Sequence, residues 1–387
     1  MFAAVVAALL ARALAAAPGP EGPPLEWRPV LEVRPRFRMS TAEGEGTATP
    51  AAALRARVGM QVTRGILSAR VSIQDVHGWN DGGSISYGRM PMLAEGWANI
   101  DASPSDSLGF ALKVGRQAIQ LEDGRLVGAR DWAMKGQFLD GARVEFVGAP
   151  VTVEVMNVRR SSGRSDEPFG AGVSALRVSI GRTDRISLWQ VDGVALVDAR
   201  LAATPVTTAG MFTKVESGRF RGRLEAYGQA DAAGNAGLLN ARLGWVFGPE
   251  ERVVLYGEGG VESGGFYALS QDTTVVRGGG GMHAWRPILG DGREYHGLLG
   301  LPGESWDGDG SAMITLDCGL APRLRIDTAL RQDFAATSGS PLATTLETDV
   351  RWYVSPFAAF SLGGAGRVGE TGRGWSAAGY GAVDVEF

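Results

Sequence analysis

Arginine at every second position is the feature of this sequence with the clearest chemical meaning. One such track consists of Arg34, Arg36 and Arg38. A second track has the same spacing: Arg219, Arg221 and Arg223. Because side chains of an extended strand alternate between two faces, each track puts three guanidinium groups on one face, about 7 Å apart. Like charges this close repel unless carboxylates or a polyanion lie beside them, so we interpret the tracks as part of an anion path.

Two readings without transport remain open for these arginines. Only Lys113, Lys135 and Lys214 are lysines, and a GC-rich genome would produce the same arginine excess with no function attached. Arginine and carboxylate pairs on neighbouring strands would also stiffen a sheet, by about 0.2–1 kcal/mol per pair. The net charge of −4 argues against a nucleic-acid partner.

Catalytic and metal-binding patterns are incomplete. The three histidines, His77, His283 and His296, all fall in predicted loops. The stretch 303–307 lacks the last glycine of a nucleophile elbow. The acidic stretch 307–311 has Cys318 where a calcium loop needs a bidentate glutamate. We therefore predict no enzyme activity, no cofactor and no metal site.

The last twelve residues, 376–387, alternate between two faces. Val383, Val385 and Phe387 share an apolar face, and Asp384 and Glu386 share the other. Such a strand closes a bacterial outer-membrane barrel or lies in a soluble β-sandwich, and these residues alone do not decide between the two.

The same alternation recurs along the whole chain. We predict eighteen strands, and sixteen if the blurred segments 92–101 and 185–193 are not strands. The predicted strands are 31–38, 54–61, 67–74, 92–101, 108–117, 138–147, 151–160, 171–180, 185–193, 206–217, 219–229, 237–248, 252–262, 312–320, 323–334, 345–354, 357–366 and 376–387.

Connector lengths favour the barrel over the sandwich. Short connectors, such as 148–150 and 181–184, are predicted to alternate strictly with longer ones, such as 118–137 and 263–311. Outer-membrane barrels have short periplasmic turns at one rim and long external loops at the other. The predicted fold is therefore all-β, a transmembrane antiparallel up-and-down β-barrel in the cell outer membrane. Whether 118–137 or 263–311 folds into the pore stays open.

The barrel is predicted to occupy residues 30–387 as a single domain. Residues 1–17 are short, apolar and alanine-rich before Pro18, which is typical of a signal peptide. Residues 18–29 are predicted to be a periplasmic leader.

If the apolar face points outward, the other face lines the lumen. Its predicted arginines along the solute path are Arg34, Arg36, Arg38, Arg55, Arg57, Arg70, Arg143, Arg219, Arg221, Arg223, Arg242 and Arg351. Its predicted supporting acids include Glu225, Glu347 and Asp349. Asp384 and Glu386 would face the first arginine track across the closing seam.

A motif in residues 114–143 goes beyond periodicity. It contains Gly-Arg-Gln at 115–117, Arg-Leu-Val-Gly at 125–128, Asp131-Trp132, and Phe-Leu-Asp-Gly-Ala-Arg at 138–143. This order resembles the signature of the alginate-export family of outer-membrane porins, although a leucine separates Phe138 from Asp140. Residues 344–360 are similar to late strands of the same family.

The resemblance implies an eighteen-strand monomeric barrel with an arginine-lined pore. Matched residue by residue, it assigns basic positions to Arg116, Arg125 and Arg143, and their partners to Asp131 and Asp140. It also implies that Phe387 is the terminal aromatic read by the barrel-assembly machinery.

We therefore predict a porin that passes anionic or sugar-like solutes, with an acidic exopolysaccharide as the passenger in founding members of the family. The alternative is a plugged barrel that binds or supports and does not conduct. Expected partners are outer-membrane lipid and lipopolysaccharide, the assembly machinery, and an anionic solute or polysaccharide.

Overall fold

The computed structural model describes eighteen antiparallel strands and the segments near them. The described residues are 23–41, 48–79, 91–105, 108–122, 124, 126–129, 136–160, 172–183, 187–199, 205–231, 234–248, 253–262, 309–335, 340–369 and 375–386. Within these ranges no helix has the length and hydropathy needed to cross a membrane.

The strands follow one another in chain order. They are β1 (Glu26–Thr41), β2 (Ala48–Arg64), β3 (Leu67–Trp79), β4 (Met92–Ser105), β5 (Leu108–Gln117), β6 (Leu139–Gly148), β7 (Val151–Arg160), β8 (Val173–Thr183), β9 (Ser187–Asp198), β10 (Val206–Ser217), β11 (Phe220–Asp231), β12 (Gly234–Phe247), β13 (Val253–Glu262), β14 (Asp309–Ala321), β15 (Leu324–Ala335), β16 (Pro341–Ser355), β17 (Ala358–Gly369) and β18 (Trp375–Glu386).

The sheet closes on itself. Every strand pairs with its sequence neighbours, and β18 pairs with β1, where Val33 lies opposite Val385. Closure matters because a lipid environment offers no partner to an unpaired backbone amide or carbonyl. The predicted all-β barrel and the pairing of its last strand with its first are confirmed. Both blurred segments form strands, β4 and β9, so the count is eighteen and not sixteen.

Alternation along each strand separates an apolar outside from a charged inside. On β1, Phe37 and Met39 are 66% and 56% exposed, whereas Glu32 and Arg36 on the other face are buried. A face of exposed large apolar side chains suits lipid, and the charged face then surrounds the lumen. Aromatic side chains, including Trp245, lie exposed near the ends of strands as an interfacial girdle would.

Two details of the predicted layout are wrong. β11 ends at Asp231 and β12 begins at Gly234, so a two-residue connection lies on the rim of the long loops and the alternation of lengths is not strict. Antiparallel neighbours need no more than such a connection. The barrel begins at Glu26, four residues inside the predicted leader 18–29, because Glu26 to Pro29 pair with Thr63 to Met60 of β2.

Pro35 lies inside β1 at the seam. The β1–β18 ladder runs to Val33 and resumes at Arg36, leaving out Arg34 and Pro35. Proline has no backbone N–H to donate, which accounts for its place in this gap. The predicted signal peptide, 1–17, and Phe387 lie outside the described residues.

The two faces of β15 give a test of the lipid-facing assignment. Leu330 is half exposed on the outer face near the middle of the strand, and we expect Leu330→Arg to destabilise the barrel by about 2–4 kcal/mol. The measurement is urea unfolding of the barrel refolded in lipid vesicles.

Ala329 is the matched control. It faces the lumen opposite Glu347, so Ala329→Arg places the same charge beside a carboxylate and should cost much less. Equal losses of unfolding free energy in both variants would contradict the assignment of the faces.

Candidate functional site

The densest group of arginines on the inner face surrounds Glu32, and we call it the seam cluster. It contains Arg34 and Arg36 of β1 with Arg55 and Arg57 of β2. Arg55 is fully buried, and its Nε donates a 2.7 Å hydrogen bond to Glu32 Oε1. Arg57 Nη1 lies 3.0 Å from the other carboxylate oxygen, and Arg34 Nη2 lies 3.5 Å from Oε1. Three guanidinium groups therefore share one buried carboxylate.

The seam cluster continues onto the neighbouring strands. Arg34 forms an ion pair with Asp384 of β18, and Arg351 Nη2 of β16 lies 3.8 Å from the same carboxylate. The predicted contact of Asp384 with the first arginine track is confirmed. In the ladder, Arg38 lies opposite Tyr380 of β18.

The basic wall extends over β3 to β5. Arg70 Nε lies 2.9 Å from Glu95, and the Nζ of Lys113 lies 4.3 Å from the centre of the Trp97 ring. Arg57 also donates a 2.9 Å hydrogen bond to Gln74 of β3. The predicted inward positions of Arg55, Arg57 and Arg70 are therefore observed.

The second arginine track is held by carboxylates. Arg223 lies 3.3 Å from Glu225 and 3.1 Å from Glu258, and Arg221 lies 3.7 Å from Glu216. Arg242 Nε lies 3.8 Å from Glu258, and its guanidinium carbon lies 3.9 Å from the centre of the Tyr256 ring. Glu225 therefore lies beside an arginine of this track, and its role as a supporting acid stays a prediction.

Arg219 is not part of this track. It lies with Gly218 in the turn before β11 and is exposed at the short-turn rim. Gly218 has a φ of +53°, a conformation that suits glycine and reverses the chain there. Since β11 begins at Phe220, Arg219 does not share the alternation of that strand. The predicted lumen position of Arg219 is therefore wrong.

The other predicted acids lie on β16. Asp349 accepts a hydrogen bond from the Tyr380 hydroxyl of β18, and Glu347 lies opposite Ala329 on the same inner face.

Arg116 and Asp140 form the pair that the sequence motif implies, but not in the lumen. Arg116 Nε and Nη2 donate to the two Asp140 oxygens at 2.8 and 2.9 Å. In the ladder Arg116 lies directly opposite Asp140, and its neighbour Gln117 lies opposite Leu139, which packs against the inner wall. Alternation then places the pair on the outward face, so the predicted pore-lining role of Arg116 is wrong. Arg125 and Asp131 lie outside the described residues.

Part of the connector between β5 and β6 lies inside the barrel, and we call its described residues, 118–122, 124 and 126–129, the docked segment. Its side chains Ile119, Leu121, Leu126 and Val127 are at most 2% exposed. They pack in one cluster with apolar side chains of the inner wall. Those wall residues are Met156, Val158, Val173, Ala175, Val194, Leu196, Tyr227 and Leu238.

The docked segment is held mainly by these apolar contacts. Burying a leucine, isoleucine or valine side chain contributes about 1.5–3 kcal/mol, so the four side chains contribute about 6–12 kcal/mol together. Phe138 marks the return of the connector toward β6, and its ring centre lies 5.2 Å from the guanidinium carbon of Arg57. Because β3, β4 and β5 lie between β2 and β6 in the wall, Phe138 reaches Arg57 across the lumen and not along the wall. The connector therefore narrows the lumen beside the seam cluster.

One charged side chain of the docked segment is buried with it. Glu122, 4% exposed, has Oε1 3.5 Å from Arg177 Nε of β8. Arg177 is also 3.2 Å from Glu154 and 3.7 Å from Asp192. Burial, with the Asp192 carboxyl beside it, raises the pKa of Glu122 to about 8. Arg143, which was predicted to face the lumen, has its Nε 2.7 Å from Glu154. We call this group the carboxylate cluster; its members are Glu122, Glu145, Glu154 and Asp192 with Arg143 and Arg177.

Sequence reasoning missed Glu122 and Asp192. Asp192 lies on β9, whose alternation is blurred because its inner face also carries Val194 and Leu196, which the docked segment covers. The signal for the docked segment was present, since Ile119, Leu121, Leu126 and Val127 are unusually apolar for a connector. Among the described residues, no group of three or more histidine, cysteine, aspartate or glutamate side chains has a metal-binding arrangement.

Solved structures with the same fold are outer-membrane porins. OccK5 (OpdH) of Pseudomonas aeruginosa matches with a TM-score of 0.62 and 12% identity, over 94% of this chain and 98% of that one. OccK2 (OpdF) of the same organism, in complex with glucuronate, matches with a TM-score of 0.61 and 12% identity over the same shares. A BenF-like porin from Pseudomonas fluorescens Pf-5 matches with a TM-score of 0.62 and 11% identity, also over 94% and 98%.

Neither a protein-family model nor a curated protein sequence matches the chain. At identities this low the likeness to the porins shows the fold. A closed eighteen-strand barrel with an apolar exterior is an outer-membrane β-barrel, as predicted.

The position of the docked segment can be tested without reference to transport. Leu126→Asp puts an unpaired charge into the apolar cluster, so we expect it to cost more than the about 2–5 kcal/mol of a leucine-to-alanine change and to release the segment. Limited proteolysis of the detergent-folded barrel should then cut at residues 118–122 and 126–129, where wild type is protected. Gln120→Asp is the matched control because Gln120 is exposed, and protection of the Leu126→Asp variant would contradict the docked position.

Proposed function

We propose that the protein is an outer-membrane channel for small solutes, with an arginine-rich lumen that favours anionic or sugar-like molecules. The seam cluster carries this proposal. In it, Arg34, Arg55 and Arg57 converge on the single buried carboxylate of Glu32. Three guanidinium groups carry three positive charges against the two negative charges of Glu32 and Asp384, so the seam cluster creates a positive potential in the lumen.

The solute class follows from this chemistry. Arginine recognises carboxylates through two parallel hydrogen bonds, which a fixed arginine wall offers to a passing acid. A carboxylated sugar such as glucuronate combines a carboxylate with hydroxyl groups, and OccK2 has been solved in complex with glucuronate. We propose uronate-sized acids as solutes of this channel.

The resemblance to the alginate-export family, and passage of an acidic exopolysaccharide, stay predictions that rest on the sequence motif of residues 114–143. The docked segment favours small solutes over a polymer, because its buried side chains, such as Leu121 and Leu126, take up part of the lumen. The plugged barrel without conductance remains the second candidate for the same reason. Single-channel conductance separates the two, since a plugged barrel would give none.

The partners are proposals as well. We propose that the apolar belt contacts outer-membrane lipid and lipopolysaccharide, that the assembly machinery reads the terminal Phe387, and that the barrel works as a monomer. Deleting Phe387 should lower the amount of barrel recovered in the outer membrane, and normal recovery would contradict its role.

Anion preference is tested by reversal potentials in a potassium chloride gradient across a planar bilayer. We expect wild type to prefer chloride, and Arg36→Gln with Arg57→Gln to shift the reversal potential toward the potassium value. Both side chains lie on the lumen face of the seam cluster, so their removal leaves the negative Glu32 and Asp384 less compensated.

Arg219→Gln is the control for this experiment. It removes one positive charge from the exposed turn outside the lumen track and should leave the reversal potential unchanged. A reversal potential that is equally insensitive to the Arg36 and Arg57 substitutions would contradict the proposed path.

A further inference from the structure

Glu122 of the docked segment is a candidate specificity-determining residue that the sequence patterns do not reveal. We propose that the Glu122 carboxyl sets the charge selectivity of the channel, neutral when it holds a proton and opposed to anions when it releases that proton to water. This inference rests on the proposed channel function. It adds a residue and a mode of regulation that the arginine wall alone does not supply.

The first observation is the position of Glu122. The residue belongs to the segment that narrows the lumen, and its carboxylate lies 3.5 Å from Arg177 Nε. Its backbone has a φ of +46°, a left-handed conformation that a non-glycine residue adopts only where its surroundings enforce it. The apolar contacts of Leu121 and Leu126 on either side supply that enforcement. The carboxyl is therefore fixed toward the wall.

The second observation is the balance of charge around it. The groups facing Glu122 are Glu154 of β7, Arg177 of β8 and Asp192 of β9. Arg143 of β6 forms ion pairs with both Glu154 and Glu145. In this described cluster four carboxyl groups share two guanidinium groups. Glu122, Glu154 and Asp192 are all at most 4% exposed, so water screens them little. Holding every carboxyl ionised in such a place is unfavourable, and a bound proton relieves it.

The direction of the pH effect follows from the same cause. Burial, helped by Asp192, raises the pKa of Glu122 from 4.5 to about 8. A carboxyl whose pKa is raised in the docked state favours docking fully below pH 4.5, and this contribution is lost as pH rises toward about 8. Near pH 6 the docked carboxyl is neutral, and near pH 9 it is negative.

We expect a change of selectivity and not an opening of the pore. The four buried apolar side chains of the docked segment carry no titratable group, so their contribution to docking does not change with pH. Gln190 also holds Asp192 through a 2.7 Å hydrogen bond that does not depend on Glu122. The segment therefore stays in place, and its new negative charge acts on passing ions.

The experiment measures reversal potentials in a potassium chloride gradient at pH 6 and pH 9. Wild type should shift toward the potassium value at pH 9. Glu122→Gln, which has the shape of the protonated acid, should keep its pH 6 value at pH 9. Glu216→Gln is the matched control, because it removes a lumen carboxylate of β10 that lies 2.9 Å from Lys214 and away from the docked segment. Glu216→Gln should shift the reversal potentials at pH 6 and pH 9 by the same amount, so the difference between the two pH values should remain.

The outcomes separate this inference from the channel function itself. Absence of conductance at both pH values would contradict the proposed channel. A conducting wild type with a pH-independent reversal potential, or a pH step retained by Glu122→Gln, would contradict the role of Glu122. A rise in conductance at pH 9 with unchanged selectivity would also contradict it, because it would indicate release of the segment.

Infrared spectroscopy provides a measurement that needs no conductance. The folded wild-type barrel should show the C=O band of a protonated carboxyl at pH 6 that Glu122→Gln lacks and that disappears above pH 8. A wild-type spectrum identical to that of Glu122→Gln at pH 6 would contradict the bound proton.

Discussion

The structure depends on one constraint: every backbone N–H and C=O group that meets lipid must be paired within the protein. An open sheet would leave two edges, and β18 removes them by pairing with β1. Once the sheet is closed, side chains alternate between an outer face in lipid and an inner face around the lumen. A charged side chain is unfavourable on the outer face because lipid does not solvate it. The arginines and acids of the seam cluster and the second track therefore collect in the lumen, whereas Arg116 and Asp140, which lie outward, neutralise each other. The fold itself creates the charged path.

Charges gathered in a narrow interior must then be balanced. The second arginine track shows one solution, with Arg223 held between Glu225 and Glu258. The seam cluster shows another, with several arginines drawn to Glu32. The carboxylate cluster is the reverse, with acids in excess, and burial there raises the pKa of Glu122 to about 8. The lumen wall thus has regions of opposite local net charge, positive at the seam cluster and negative at the carboxylate cluster when its acids are ionised.

Much of this could be read from the sequence, because a period of two is the direct consequence of a strand with lipid on one side. The eighteen strands, the inward arginines and the contact of Asp384 with Arg34 all follow from it. The period fails where something other than lipid and water covers the wall. At β9 the docked segment makes the inner face apolar, and Asp192 was missed there. At strand ends the period also misleads, and it placed Arg219 in the lumen although that residue belongs to a turn.

The central claim is that the inner wall favours small carboxylated solutes over neutral ones of the same size. Liposome swelling measures it directly, with glucuronate and glucose compared at equal osmolarity and low salt. We predict faster swelling in glucuronate, and a loss of that advantage as added salt screens the lumen charges. The account would be contradicted if swelling were faster in glucose than in glucuronate and if added salt left the glucuronate rate unchanged.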